Sequence, residues 1–111
     1  MTPKIDFDLS GKKIFVCGHK GMVGRAVLRR FQQEDCEVLI ADRNELDLRD
    51  DRTVGAWFEK TRPNAVILAA AKVGGILAND TMPVSFLLEN LRIQNAVINA
   101  AFEQGVEKFL F

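Results

Sequence analysis

The stretch Gly18-His19-Lys20-Gly21-Met22-Val23-Gly24 constrains this chain more than any other. It follows a compact apolar run, Lys13-Ile14-Phe15-Val16-Cys17, and opens an amphipathic segment. A strand that turns through glycines into a helix N-terminus makes an anion site, because backbone N–H groups and the positive end of the helix dipole face the turn. The three glycines then have separate duties. Gly18 permits the tight turn, Gly21 lets a pyrophosphate approach the backbone, and Gly24 lets the helix pack closely on the strand. Three glycines alone are a weak signal, and their position between a strand and a helix strengthens it. The alternative is a glycine-rich turn that holds nothing.

Composition narrows the function classes. The chain has 111 residues, 48% of them hydrophobic, which is enough for one buried core. Its 15 basic and 15 acidic residues cancel, so no bulk field draws it to nucleic acid or an anionic membrane. Cys17 and Cys36 form no CxxC pair and read as free thiols of a reducing compartment, rather than as a disulfide or metal site. Residues 1–11 are polar and acidic, unlike a signal peptide, and no apolar run reaches membrane-spanning length. A cytoplasmic protein with no nucleic-acid, membrane or metal partner is expected.

Residues 1–11 read as a loose lead-in and residues 12–111 as one dinucleotide-binding unit. Lys13–Cys17 is apolar enough for a strand covered on both faces. A first helix is expected over residues 22–34, with Val23, Val27, Leu28 and Phe31 sharing its inner face. Residues 37–41 form the second buried strand. Residues 42–50 are too polar for core and follow that strand directly. A second helix over residues 51–60 buries Val54, Trp57 and Phe58, with Trp57 as core rather than as a ligand-stacking ring, and Pro63 stops it. Residues 65–69 form the third strand, which runs into small residues, Ala70 to Ile76, where something can approach the backbone.

The longest helix starts at Pro83 and ends before Gly105. Its apolar residues form two stripes. One holds Leu87, Leu91, Ile98 and Phe102; the other holds Phe86, Ile93, Val97 and Ala100. Two apolar faces need two neighbours, the sheet and a partner, so a homodimer through residues 83–103 is expected. Residues 108–111 begin a fourth strand. The fold class is α/β: a doubly wound parallel sheet of Rossmann type, incomplete and ending in its fourth main strand, with a ligand crevice at the carboxyl ends of the strands.

The glycine spacing, the Asp47-Leu48 pair and the strand end Leu68-Ala69-Ala70 resemble the extended short-chain dehydrogenase/reductases, the NAD-dependent epimerase/dehydratase superfamily. Within it, the glycine motif together with Ala69-Ala70-Ala71-Lys72-Val73-Gly74-Gly75-Ile76 is similar to the members that epimerise GDP-4-keto-6-deoxymannose at C3 and C5, then reduce C4 with NADPH. That resemblance implies an oxidoreductase and isomerase of nucleotide-sugar metabolism with NADP(H) as cofactor. By position, Gly18, Gly21 and Gly24 would line the pyrophosphate, and His19, Met22 and Val23 of the same motif would belong to the cofactor site. Lys20 and Arg43 would face the adenosine 2′-phosphate, and Asp47 and Leu48 would border the adenine. Ala69, Ala70 and Ala71 would pass behind the riboses, and Lys72 would lie near the nicotinamide. Val73, Gly74 and Gly75 would form a substrate-side loop. Asn90 matches a frequent asparagine of the family. His19 reads as a loop residue beside the phosphates rather than a general base.

Two messages conflict just after the second strand. An acid there, Asp42, ordinarily accepts the ribose 2′-hydroxyl and selects NAD. Lys20 and Arg43 instead suit a 2′-phosphate, in which case Asp42 turns towards Arg43 or solvent. The chain also departs from its family in lacking tyrosine altogether. The resemblance puts the Ser, Tyr and Lys of hydride transfer, and the Cys and His of epimerisation, beyond Phe111. The expectation is the amino-terminal part of a cofactor domain, inactive by itself. The rival is a non-catalytic nucleotide-binding module, or another nucleotide-sugar epimerase/reductase of the same superfamily.

Overall fold

The structure, a computed structural model, describes residues 8–69 and 83–110. Among the described residues seven elements follow in order: β1 (Lys13–Cys17), α1 (Met22–Phe31), β2 (Glu37–Leu39), α2 (Asp51–Thr61), β3 (Ala65–Leu68), α3 (Pro83–Glu103) and β4 (Lys108–Leu110). The strands form one sheet in the order β2-β1-β3-β4, and every neighbouring pair is parallel. β1 is therefore central, with Phe15 in register with Leu39 on one side and Val66 on the other.

Apolar residues on successive positions of β1 supply both faces. Phe15 and Cys17 point into a core shared with Val54 and Phe58 of α2 and with Ile93, Ala96 and Val97 of α3. Ile14 and Val16 point into a second core with Val27, Leu28 and Phe31 of α1. Helices on both faces make the sheet doubly wound, as the continuous apolar runs predict. Phe15 meets Phe58 edge-on at 5.6 Å and Trp57 at 5.5 Å between ring centroids, so Trp57 belongs to the core side. Each fully buried large side chain of this kind stabilises the fold by about 1.5–3 kcal/mol.

Local chemistry sets the helix ends. Asp50 caps α2 by accepting the Arg52 N–H, and Arg62 closes it in the left-handed conformation at φ 52°, donating its N–H to the Phe58 carbonyl. α1 stops at Phe31 rather than residue 34, because Gln33 and Glu34 bond three residues back instead of four. β2 ends at Leu39, two residues before the expected limit, and β3 ends at Leu68.

Three local expectations need correction. Val23 does not share the inner face of α1. It is 61% exposed, whereas Gly24 is buried, because the helix backbone itself rests on the glycine turn there and leaves no room for a side chain between them. The segment 42–50 does contribute to the core, through Leu46, which is fully buried, and Leu48, packed against it. Residues 8–11 are held to the rest of the chain. Leu9 packs on the α1-side core, Gly11 N–H donates to the Asp35 carbonyl, and Ser10 Oγ is 3.1 Å from Asp35 Oδ2.

The two faces of α3 have different fates. Ile93, Val97 and Ala100 are buried with Ala96 and Ala101. Leu87, Leu91, Ile98 and Phe102 are exposed, Phe102 by 86%. The Phe86 side chain and Phe111 lie outside the described residues, as does the whole of 70–82. Among the described residues no helix is long and apolar enough to cross a membrane.

Candidate functional site

Strand order reverses beside β1, since β2 lies on one side and β3 on the other. Such a switch point opens a crevice at the carboxyl ends of the strands. A cavity of about 900 Å³ occupies that place, and Gly18, Ala41 and Ala69, which follow β1, β2 and β3, all line it.

The glycine turn forms its floor. Gly18 follows β1 with φ of +85°, a conformation that favours glycine. Gly21 N–H returns to the Gly18 carbonyl at 3.2 Å, and Arg25 Nε donates to the Lys20 carbonyl at 2.9 Å. α1 then begins with Gly21 as its N-cap and no side chain capping it. A Cβ on Gly24 would lie 2.0 Å from the Gly18 oxygen and 2.8 Å from the His19 Cα. Only glycine permits this approach of helix to turn. At Gly21, by contrast, a Cβ would meet the Gly18 oxygen at an ordinary 3.6 Å. The free protein thus has room for a side chain at Gly21, and the exposed glycine there suits a ligand that lies against the backbone.

The charged groups at the mouth are arranged in pairs. Asp42 Oδ1 lies 3.1 Å from Lys20 Nζ and 3.4 Å from His19 Nε2. The hydrogen bond and charge of Lys20, helped by His19, hold the Asp42 carboxyl below its ordinary 3.8. Arg49 grips both oxygens of Asp47, through Nε at 3.0 Å and Nη2 at 3.1 Å, and reaches Glu89 of α3 at 2.8 Å. That grip, with a smaller effect of Arg43, keeps Asp47 low as well. Arg43 itself is exposed at the mouth and forms no salt bridge among the described residues.

The cavity brings together Gly18, His19, Lys20, Gly21, Arg43, Asp47, Leu48 and Ala69 of the residues expected from the sequence. Met22, Val23 and Gly24 do not line it. Ala70, Ala71, Lys72, Val73, Gly74 and Gly75 lie outside the described residues. Ala41, Leu46, Arg49, Glu89 and Ile93 also line it, and sequence reasoning missed them. Leu46 carried a usable signal, as an apolar residue two before Leu48. Glu89 and Ile93 carried none, because only packing of α3 against α2 brings them to the site.

These residues fit a dinucleotide. The cradle between Gly18 and Gly24 leaves no space for a Cβ, the turn opens a helix N-terminus, and two basic side chains flank the mouth. The three thiol, imidazole and carboxylate classes form no cluster fit for a metal among the described residues.

The sequence profile of the NAD dependent epimerase/dehydratase family matches residues 14–111. A GDP-L-fucose synthase of Sinorhizobium fredii is 56% identical over 103 residues, covering 93% of this chain and 33% of that protein. One from Escherichia coli is 44% identical, covering 93% of this chain and 32% of the relative. The structure of a GDP-mannoheptose C4 reductase from Campylobacter jejuni with NADP bound superposes with a TM-score of 0.84 at 35% identity, covering 90% of this chain and 30% of that one. The chain thus spans about a third of the length of the curated relatives it matches. It belongs to the NAD dependent epimerase/dehydratase family.

Proposed function

We propose that this chain holds NADP(H) for an epimerase/reductase of nucleotide sugars, of the kind that converts GDP-4-keto-6-deoxymannose to GDP-L-fucose. The observation that carries the reading is that the glycine turn, Lys20, Arg43, Asp47 and Leu48 meet in one cavity. The names of the relatives supply the substrate class.

In this reading the turn from Gly18 to Gly24 receives the pyrophosphate at the start of α1. Lys20 and Arg43 take the 2′-phosphate from two sides. A guanidinium bonds phosphate through parallel charge-assisted contacts, and an ammonium adds a point charge. Asp47, turned by Arg49, and Leu48 border the adenine, while Ala69 lets a ribose pass close to the end of β3. Residues 70–75 would continue towards the nicotinamide and the sugar. Bound NADPH supplies the hydride for reduction at C4. The part of the described residues is to bind and orient the cofactor.

A homodimer through the exposed face of α3 belongs to the same proposal, supported by Leu87, Leu91, Ile98 and Phe102 lying uncovered in a row. So does a cytoplasmic location, supported by two free cysteines, Cys17 and Cys36. The test of cofactor binding is quenching of intrinsic Trp57 fluorescence, or calorimetry, on titration with NADPH. Saturable binding supports the reading, and no binding at millimolar cofactor contradicts it.

A further inference from the structure

We infer that Arg49 is a specificity-determining residue of this site. Anchored by Asp47 on its own loop and by Glu89 on α3, its guanidinium walls off the base end of the dinucleotide cavity. The cavity therefore takes adenine with an unsubstituted amine and rejects bases that carry a group there. The inference rests on the dinucleotide reading above and adds to it what the base end excludes.

Two cavities meet at this point. The base end of the larger one, about 900 Å³, is lined by Asp47, Leu48 and Arg49 of the loop after β2 and by Glu89 and Ile93 of α3. A second cavity of about 630 Å³ lies between the start of α2 and α3, lined by Asp47, Arg49, Asp50, Asp51, Arg52 and Arg92. Asp47 and Arg49 belong to both, so this pair is their common wall.

Three side-chain bonds hold the wall in place. Arg49 Nε and Nη2 donate to the two Asp47 oxygens at 3.0 and 3.1 Å, and Nη1 donates to Glu89 Oε1 at 2.8 Å. The Arg49 backbone N–H also donates to Asp47 Oδ1 at 3.0 Å. A guanidinium forked on a carboxylate keeps its geometry where a single surface pair does not. The loop that carries it is fixed on either side, by buried Leu46 and by Asp50, which caps α2. A group growing from the adenine amine towards Arg49 must break both carboxylate contacts or push the loop away from α3. Breaking them would strip the cation from Glu89, whose side chain is only 16% exposed, and a charge that little water can reach loses much by it.

Calorimetry compares NADP with NADP carrying a hydroxyethyl group on its adenine amine, a neutral polar addition that suits the charged second cavity. The unmodified protein should bind the substituted cofactor at least about tenfold more weakly, as an overfilled site does. Arg49→Ala joins the two cavities and should bring the affinities within about twofold of each other, the effect of an unobstructed surface change. Glu89→Ala removes the anchor on α3 and should narrow the gap part of the way. A merely structural loss weakens both cofactors alike and leaves their ratio unmoved, so the ratio is the readout, and if one variant does not fold the other decides. Equal binding of the two cofactors by the unmodified protein, or a gap that persists undiminished in either variant, overturns the wall and leaves the dinucleotide reading standing. If the unmodified protein binds neither cofactor, both fall together.

Discussion

A Cβ atom on Gly24 would stand 2.0 Å from the carbonyl oxygen of Gly18. The two glycines are in backbone contact across the turn, and this contact sets the start of α1 over the carboxyl end of β1. The geometry of the turn therefore depends on what is missing at Gly24, and Gly21 differs in having room beside it.

The difference is measurable. Gly24→Ala forces backbone apart and should destabilise the fold by about 3 kcal/mol, at the upper end for overpacking, read as a lower denaturant midpoint. Gly21→Ala meets only an ordinary contact of 3.6 Å and should cost about 0.5–1 kcal/mol, the preference for glycine over alanine at an N-cap. It should nevertheless weaken NADPH binding. Equal stability losses for the two variants would contradict the separate duties assigned to them.

Stability should fall in acid. Asp42, Asp47 and Asp50 are held below their ordinary 3.8, by Lys20, by Arg49 and by the Thr53 hydroxyl respectively. A carboxyl with a lower folded than unfolded value binds fewer protons folded, so protons favour the unfolded chain. These three groups stabilise the fold fully above about pH 4 and lose that contribution as the pH drops through their lowered folded values. Melting temperatures from pH 7 to pH 2 should show a decline that starts near pH 4. A melting temperature independent of pH below 4 would contradict these pairings.

Arg49 ties the loop after β2 to α3 by holding Asp47 and Glu89 together. Arg49→Ala should lower stability only slightly, since the guanidinium is exposed and the pairs are screened by solvent. It should also release the Asp47 carboxyl, raising its titration midpoint towards 3.8, which carboxyl NMR would follow. An unmoved Asp47 would contradict the grip.

Much of this arrangement was legible in the chain. The apolar runs of β1 and β3 marked a sheet covered on both sides, and the two stripes on α3 did separate into a buried and an exposed face. Glycine spacing pointed to the turn because φ of +85° at Gly18 is a local demand. Val23 misled, because helical periodicity does not register that a glycine can take the place of a side chain at a backbone contact. Charged partners were the least legible. Arg49 meets Glu89 across 40 residues and Lys12 meets Glu107 across 95, distances over which only the folded sheet decides who meets whom. The pairing of Asp42 with Lys20 and His19 was not legible either, because the glycine loop lies nearer than sequence order suggests.

The exposed face of α3 should mediate association. Phe102→Lys, at a position 86% exposed, should leave folding stability within about 0.5 kcal/mol, as surface changes do. The same variant should convert a dimer to a monomer in light scattering at micromolar concentration. An unmodified protein that is already monomeric would contradict the dimer.

The central claim is that Lys20 and Arg43 select NADP over NAD at this mouth. Arg43→Ala tests it most directly, because Arg43 forms no salt bridge among the described residues and its loss leaves the glycine turn intact. Calorimetric titration with both cofactors should show NADPH weakened by about 1.5–3 kcal/mol more than NADH, the range for hydrogen bonds to charged groups. Equal losses for the two cofactors, or tighter binding of NADH than NADPH by the unmodified protein, would contradict it.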